Sequence, residues 1–217
     1  MVKPDGENDL GPKPDEGTER RILDAAHEVF IRRGTDGARM QEIADEAGVN
    51  KALLHYYYRT KEFLAQAVFQ RAAAVLLAQV LPIMSSDLEL EEKIEKFVVA
   101  ELTLLSQRPY LPGYIISELT HHPDRLVSRI AALAGERVKK TALPKLREQI
   151  RVRVEAGTLA PVTAEQFLVT VLGACVFPFA ARPLLSELLD LGPKGFDRFI
   201  EQRKKELPEF LKRALQP

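Results

Sequence analysis

Residues 51–57, KALLHYY, carry the polar groups with the clearest chemical use in this sequence. Lys51 offers an ammonium that can donate to guanine O6 and N7, and the methyl of Ala52 can contact the thymine methyl group. His55, Tyr56 and Tyr57 end in an imidazole and two hydroxyls, which suit hydrogen bonds to phosphate oxygens. One cation, one methyl and three polar rings on a short segment predict a surface that contacts a nucleic acid.

These side chains need a scaffold that holds them outward, and residues 39–58 have the pattern of one. Ile43 and Ala44 lie on the apolar face of a short helix, and Gly48 accepts the left-handed conformation that ends a helix. Asn50 is expected to cap a second short helix through its side-chain oxygen, and it is also counted among the predicted DNA-binding residues. Two short helices joined by a tight glycine turn predict a helix-turn-helix, whose second helix enters the DNA major groove.

Flanking residues extend the predicted surface. Gln41 can pair with adenine, while Arg39 and Lys61 can contact phosphates. Thr60 is expected to cap a third helix, whose free amides and dipole also favour a phosphate. The alternative is a helical hairpin packed within a core, which would leave these polar side-chain ends without a use.

Residues 43–64, IADEAGVNKALLHYYYRTKEFL, and the preceding GTDGA resemble the N-terminal DNA-binding domain of the tetracycline-repressor (TetR/AcrR) family of bacterial transcriptional regulators. The part of this sequence that is most specific for the family is the aromatic cluster, followed by Thr-Lys-Glu-x-Leu, after the AGV turn. The resemblance covers residues 18–64 and implies that Gln41, Lys51 and Ala52 read bases. It implies contacts to the DNA backbone at or beside five residues: Arg39, His55, Tyr56, Tyr57 and Lys61. Arg39, His55 and Tyr57 differ from the residues usual in the family, so no operator sequence follows from it.

Composition limits the kind of DNA-binding protein this can be. The 217 residues contain 31 Lys and Arg against 31 Asp and Glu, so the formal net charge is zero. A protein that merely coats nucleic acid is expected to be basic, and affinity here must therefore come from a local patch. Cys175 is the single cysteine, which excludes an internal disulfide and favours a reducing cytoplasm. The N-terminal residues lack the apolar segment of a signal peptide.

The sequence predicts an all-α protein of about nine helices. Residues 1–17 are rich in Pro, Gly, Asp and Glu and are expected to form a disordered leader. Residues 18–64 are the predicted helix-turn-helix domain, with Thr18 as the cap of its first helix. Residues 65–217 are the predicted helical effector-binding and dimerisation domain, joined to the first by a long helix that ends at Pro82.

The second domain contains two helical segments with unusual features. Residues 124–155 are predicted as one helix that Pro144 kinks, and residues 163–190 as one helix capped by Thr163. The apolar run of the latter is cut short by Arg182, so a membrane span is not predicted.

A helix that is apolar nearly all round must be buried on several sides. Residues 163–190 and the last helix, residues 195–215, therefore predict a homodimer interface, as the family resemblance also implies. Burial of the apolar helix within one subunit is the alternative. A two-fold dimer predicts a palindromic operator with half-sites spaced by about 34 Å or more.

The family resemblance further implies a small-molecule effector that binds in the second domain and releases DNA. Candidate lining residues combine apolar side chains with a few polar groups, although each can equally be ordinary core: Phe97, Glu101, Leu104, Tyr114, Phe167, Cys175 and Phe177.

Other functions are less favoured by the sequence. A Gly-rich phosphate loop, a nucleophile elbow and an HExxH motif are all missing, so neither a catalytic site nor a cofactor is predicted. A thiol sensor at Cys175 is disfavoured by apolar neighbours, and a metal site at His121 and His122 by the divergence of adjacent helical side chains. A DNA-binding regulator that acts through a protein partner without an effector remains an alternative.

Overall fold

A computed structural model describes residues 15–192 and 194–217. These residues form helices and no β-strand, which confirms the predicted all-α class. The described part of the chain contains eleven α-helices and two π-helical segments: α1 Glu16–Gly37, α2 Met40–Ala47, α3 Lys51–Tyr57, α4 Lys61–Ser85, α5 Leu90–Gln107, α6 Leu111–His121, α7 Pro123–Ile130, π1 Ala131–Gly135, π2 Val138–Ala142, α8 Leu143–Glu155, α9 Ala164–Ala180, α10 Arg182–Leu188 and α11 Gly195–Ala214. The count exceeds nine because two predicted long helices are subdivided.

The chain divides into two compact units between Val68 and Phe69, just after the predicted domain boundary at Leu64. In the first unit, α1 begins earlier than predicted. Asp15, not Thr18, is the N-cap, and its carboxylate accepts hydrogen bonds from the amides of Gly17 at 3.2 Å and Thr18 at 3.0 Å. The predicted leader otherwise falls on residues 1–14, which lie outside the described residues.

The core of the first unit is formed where α1 meets the helix-turn-helix. Ile22 and Phe30 of α1 are fully buried, as are Ile43 of α2 and Leu54 of α3. The regular part of α1 ends at Gly34, whose φ of 69° and ψ of 171° are not helical. This core fixes the orientation of the two short helices that follow.

Helix α4 runs without interruption through the division between the units. It continues to Ser85, so the prediction that it ends at Pro82 was wrong. A proline in the last turn removes only one backbone hydrogen bond, and the helix ends three residues later. By length and composition alone α4 could cross a membrane, a criterion that the core helices of many water-soluble proteins also meet.

Helical backbone also continues from α7 through π1 and π2 into α8. At Pro144, where the sequence predicts a kink, the backbone changes from π-helical to α-helical. Because Pro144 has no amide proton for the carbonyl four residues earlier, the wider π turn of Val138–Ala142 ends directly before α8.

The predicted helix over residues 163–190 breaks at Ala181, where α9 and α10 meet at a bend of 77°. Thr163 caps α9 as predicted, because its hydroxyl accepts from the Gln166 amide at 3.2 Å. Inside α9, Pro178 cannot donate to the carbonyl of Ala174. The guanidinium of Arg203 on α11 donates to that carbonyl twice, at 2.8 and 3.2 Å, and so ties the two helices together.

Candidate nucleic-acid interface and internal cavity

The turn between α2 and α3 has the geometry that the sequence predicts. Gly48 adopts the left-handed conformation, with φ of 63° and ψ of 37°. The amide of Val49 returns to the Ala44 carbonyl at 3.0 Å. The side-chain oxygen of Asn50 accepts from the Leu53 amide at 2.7 Å and caps α3. Asn50 therefore positions α3 through its cap.

One face of α3 packs inward and the other faces solvent. Leu54 is fully buried and Tyr58, just after the helix, is nearly so. The opposite face presents Lys51, Ala52, His55 and Tyr56 to solvent, and Tyr56 is 53% exposed. We call these four residues the α3 face. Their exposure excludes a hairpin with this face packed inside the first unit.

Lys51 and Arg39 are two of the cations that the sequence predicts to contact DNA. Both side chains are exposed, and neither forms a hydrogen bond or ion pair among the residues that the structure describes. Other cations nearby are engaged with acids of α2: Arg32 binds Glu46 at 2.6 Å and Arg33 binds Glu42 at 3.4 Å. These pairs neutralise two acidic side chains of α2.

Several predicted DNA contacts already have partners within the first unit. Gln41 Nε2 donates to Asp45 Oδ1 at 2.8 Å, one helical turn away. Lys61 Nζ donates to the carbonyl of Asp36 at 2.7 Å, which leaves two of its three protons for other acceptors.

Tyr57 is half-buried beside the start of α1. Its hydroxyl accepts from the Asp15 amide at 2.7 Å and lies 3.3 Å from the Asp15 carbonyl as a donor. This contact with Asp15, which sequence reasoning placed in the leader, was not predicted. It gives Tyr57 a positioning role, because it fastens the end of α3 to the first turn of α1.

The side chains of His55 and Thr60 each form one hydrogen bond with the backbone. His55 Nδ1 lies 3.1 Å from the carbonyl of Arg59, so in the neutral ring Nδ1 carries the proton and Nε2 is an acceptor. Only the protonated ring could then donate to a phosphate. Thr60 Oγ1 accepts from the Phe63 amide at 3.3 Å and caps α4 as predicted.

The second unit contains a cavity of about 200 Å³ bounded by α4, α5, α8 with π2, and α9. Its accessible wall is apolar. The lining side chains are Leu76, Leu77, Val80, Leu81, Met84, Phe97, Glu101, Val138, Ala142, Leu143, Leu146, Leu168 and Leu172.

Glu101 is the one ionisable residue of this lining set, and it is 5% exposed. Its Oε2 atom is buried without a hydrogen-bond partner. Burial raises the pKa of Glu101 to about 7, because water that would stabilise the carboxylate is excluded.

Comparison with known proteins gives the family. Residues 22–68 match the sequence family described as bacterial regulatory proteins, tetR family. The HTH-type transcriptional regulator RutR of Escherichia coli strain K12 is 30% identical over 153 residues, which cover 69% of this chain and 68% of RutR. The chain belongs to the TetR family. The HTH-type transcriptional activator FasR of Mycolicibacterium smegmatis is 34% identical over 99 residues, which are 45% of either chain.

A solved structure of a transcriptional regulator shares the fold of this chain. The transcriptional regulator FadR from Bacillus subtilis, in complex with stearoyl-CoA, has a TM-score of 0.62 and covers 90% of this chain and 98% of its own. Its sequence identity is 17%, so the match concerns the fold.

Two of the seven residues proposed from sequence to contact an effector, Phe97 and Glu101, line the cavity. Four others are buried elsewhere in the second unit: Leu104, Tyr114, Phe167 and Cys175. Phe177 is 58% exposed, on the outside of α9. Burial raises the pKa of the Cys175 thiol to about 12, which keeps the sulfur protonated and unreactive.

The cavity residues of α4, such as Leu76 and Val80, were not predicted, because their spacing is that of any buried helix. The sequence also contains Glu118 and His121 at the Glu-x-x-His spacing found in metal-binding helical bundles. Glu118 instead binds Arg125 at 3.0 Å, and His121 Nδ1 lies 2.9 Å from the Ser117 carbonyl. Within the described residues, no group of three metal-ligating side chains is found.

Proposed function

We propose that this TetR-family regulator is a repressor that binds a palindromic operator as a homodimer and is released by a small-molecule effector. The exposure of the α3 face is the observation that supports DNA binding. Gly48 and Asn50 fix the recognition helix, a buried core supports it, and Lys51 and Ala52 are left exposed to read base edges. The proposed contact set is completed by Arg39, Gln41, Asn50, His55, Tyr56, Tyr57, Thr60 and Lys61.

The proposed dimer uses α9 and α11, within a domain that spans about residues 65–217. Large apolar side chains are exposed on both helices, with Phe210 68% exposed and Phe177 58% exposed. A groove of about 450 Å³ between the two helices is lined by Thr170, Phe199 and Phe210 among others. Exposed apolar surface of this kind marks interaction sites, and a two-fold contact between identical helix pairs would bury it.

The proposed effector site is the cavity of the second unit. Helix α4 lines it with Leu76, Val80 and Met84 and begins at Lys61, beside the helix-turn-helix. A ligand that displaces the cavity end of α4 would therefore act on the DNA-binding end of the same helix. For a coupling free energy of about 1–3 kcal/mol, operator affinity would fall roughly five- to 150-fold at saturation. Binding of stearoyl-CoA by FadR supports an effector in a protein of this fold.

Selection of bound sequences from random DNA with the full chain tests the proposal. We expect enrichment of a palindrome with half-sites about one helical turn or more apart. Enrichment of a single unrepeated site, or of no sequence, would contradict dimeric operator binding. Titration of the selected operator complex with a metabolite panel then tests release, and a regulator without an effector would keep its affinity throughout. We place this activity in the cytoplasm, where the DNA is accessible.

Sedimentation of two variants tests the interface. Phe210→Glu puts a charge on the exposed apolar face of α11 and is expected to give monomers. Ile116→Glu, at a similarly exposed apolar position on α6, is the matched control and should sediment as the wild type does. Equal behaviour of the two variants would place the contact elsewhere.

A further inference from the structure

A buried acid lines an otherwise apolar cavity, and this restricts the ligands that the cavity can favour. Glu101 has 5% of its surface exposed, and its Oε2 atom makes no hydrogen bond. Within residues 15–192 and 194–217 it forms no ion pair. A carboxylate in this setting has lost its water without gaining a counter-charge.

Cys175 and Arg203, which lie on the helices packed against α5, do not pair with the Glu101 carboxyl group. Cys175 on α9 interacts with Glu101, but burial keeps its thiol protonated. The guanidinium of Arg203 on α11 instead donates two hydrogen bonds to the Ala174 carbonyl oxygen, at 2.8 Å and 3.2 Å. The other cavity walls, from α4, α8 and π2, contribute apolar side chains. None of the other residues that line the cavity therefore supplies Glu101 with a counter-charge.

We propose that the cavity is selective for a small apolar molecule with a protonated amine, and that Glu101 is the acceptor of that cation. The inference rests on the proposed effector site and names its ligand class. An ammonium brings both the missing positive charge and up to three hydrogen-bond donors. A neutral alcohol supplies one donor and no charge, while a carboxylate would add a second negative charge beside Glu101.

The size of the cavity limits the apolar part of the ligand. About 200 Å³ lies below the 300–1,000 Å³ that is usual for ligand pockets. An unbranched alkyl chain of roughly eight carbons is the size of probe that this space suggests. Leu168 and Leu172 of α9 and Val80 of α4 are among the side chains that would surround that chain.

Calorimetric titration of the full chain, without DNA, with three probes of equal length tests the ligand class. The probes are octylammonium, 1-octanol and octanoate, at pH 8, where Glu101 is ionised. We expect octylammonium to bind about tenfold more tightly than 1-octanol, as one charge-assisted hydrogen bond predicts, and octanoate to bind most weakly. Equal affinities, tighter binding of octanoate, or no binding by any probe would overturn the proposal.

Two variants assign the preference to Glu101. Glu101→Gln should remove the tenfold preference for octylammonium and leave 1-octanol affinity unchanged. Glu92→Gln, on the exposed face of the same helix, is the matched control and should keep the preference. Leu168→Phe fills cavity space and should weaken octylammonium and 1-octanol alike. If Glu101→Gln keeps its far-UV dichroism and still prefers octylammonium, Glu101 is not the acceptor.

Failure of this inference is distinguishable from failure of the proposed function. Octylammonium binding that depends on Glu101 but leaves operator affinity unchanged would support the ligand class and remove the effector role. Release of the operator by other metabolites, without Glu101-dependent amine binding, would support the proposed function and overturn the ligand class.

Discussion

The α3 face and the Glu101 cavity hold ionisable groups in opposite settings. Lys51 is exposed on the α3 face, so water stabilises its charge and the folded protein loses no free energy by carrying it. Glu101 is buried without a partner for Oε2, so its negative charge costs free energy in the folded state. The first setting suits a site that exchanges water for DNA, and the second suits a site that a ligand can stabilise.

Because of this difference, substitutions in the two regions should affect different properties of the protein. Changes on the α3 face should alter DNA affinity while the free energy of unfolding stays constant. Changes at Glu101 should alter the free energy of unfolding and its pH dependence, even without a ligand. The following variants test whether the two regions behave in these distinct ways.

The largest effect is expected beneath the α3 face. Leu54→Ala removes a fully buried side chain and should lower the free energy of unfolding by about 2–5 kcal/mol. Tyr56→Ala, two residues away and 53% exposed, should change it by less than about 0.5 kcal/mol. Urea unfolding followed by circular dichroism measures both values. A comparable loss in the two variants would show that the α3 face also contributes to the core.

Ionisation of Glu101 should lower the free energy of unfolding as the pH rises. An ion-paired acid would have the opposite effect. Burial raises the folded-state pKa of Glu101 to about 7 from an ordinary value of 4.5, so the folded protein binds the proton more tightly than the unfolded chain. Stability from this group is therefore present below pH 4.5 and is lost as the pH rises through 7. The shift corresponds to about 3 kcal/mol.

The difference between wild type and Glu101→Gln isolates this contribution from other titrating groups. The variant should equal the wild type near pH 4 and exceed its free energy of unfolding by about 3 kcal/mol at pH 8. Glu92→Gln should show no such divergence, because that side chain is exposed. A pH-independent difference for Glu101→Gln would mean that its carboxyl group is solvated in the folded protein.

Substitution of two lysines should distinguish a residue that reads bases from one that binds phosphate. Lys51→Ala is expected to cost about 1–3 kcal/mol at the operator position that it reads and to relax the base preference there. Lys61→Ala should weaken all DNA sequences alike and lower the slope of log affinity against log salt by about one unit. Because Lys61 also donates to the Asp36 carbonyl, its stability must be measured in parallel. Equal effects of the two variants on base preference would contradict these roles.

Much of the first unit could be predicted from sequence because its decisive signals are local. Gly48, Asn50 and Thr60 act within one helical turn, and the structure confirms the turn and both caps. The Tyr57 contact with Asp15 could not be predicted, since it joins residues 42 positions apart. The first cap was misplaced because Asp15 and Thr18 are both good capping residues three positions apart.

The second unit was harder to predict, because its cavity exists where side chains of distant helices fail to fill space. Glu101 was predicted among the residues that line an effector site, and it does line the cavity. Phe177 was predicted in the same set but lies on the outer side of α9, a distinction that depends on tertiary packing. Pro82 was interpreted as a helix end, yet α4 continues past it to Ser85. The kink at Pro144 stays a prediction, at the point where π2 passes into α8.

The smallest changes in stability are expected at two glycines, one from each unit. Gly48 has φ of +63°, and no atom lies within 4 Å of the position that a Cβ would occupy. Gly48→Ala should therefore cost only backbone strain, about 1–2 kcal/mol. Gly113 lies within α6 with equally open space around it, so Gly113→Ala should raise stability by about 0.4–1 kcal/mol. Asparagine tolerates the left-handed conformation, so Gly48→Asn should lose less than Gly48→Ala. Thermal unfolding of the three variants measures these differences, and an equal loss for Ala and Asn would show that Gly48 is required for a reason other than its φ.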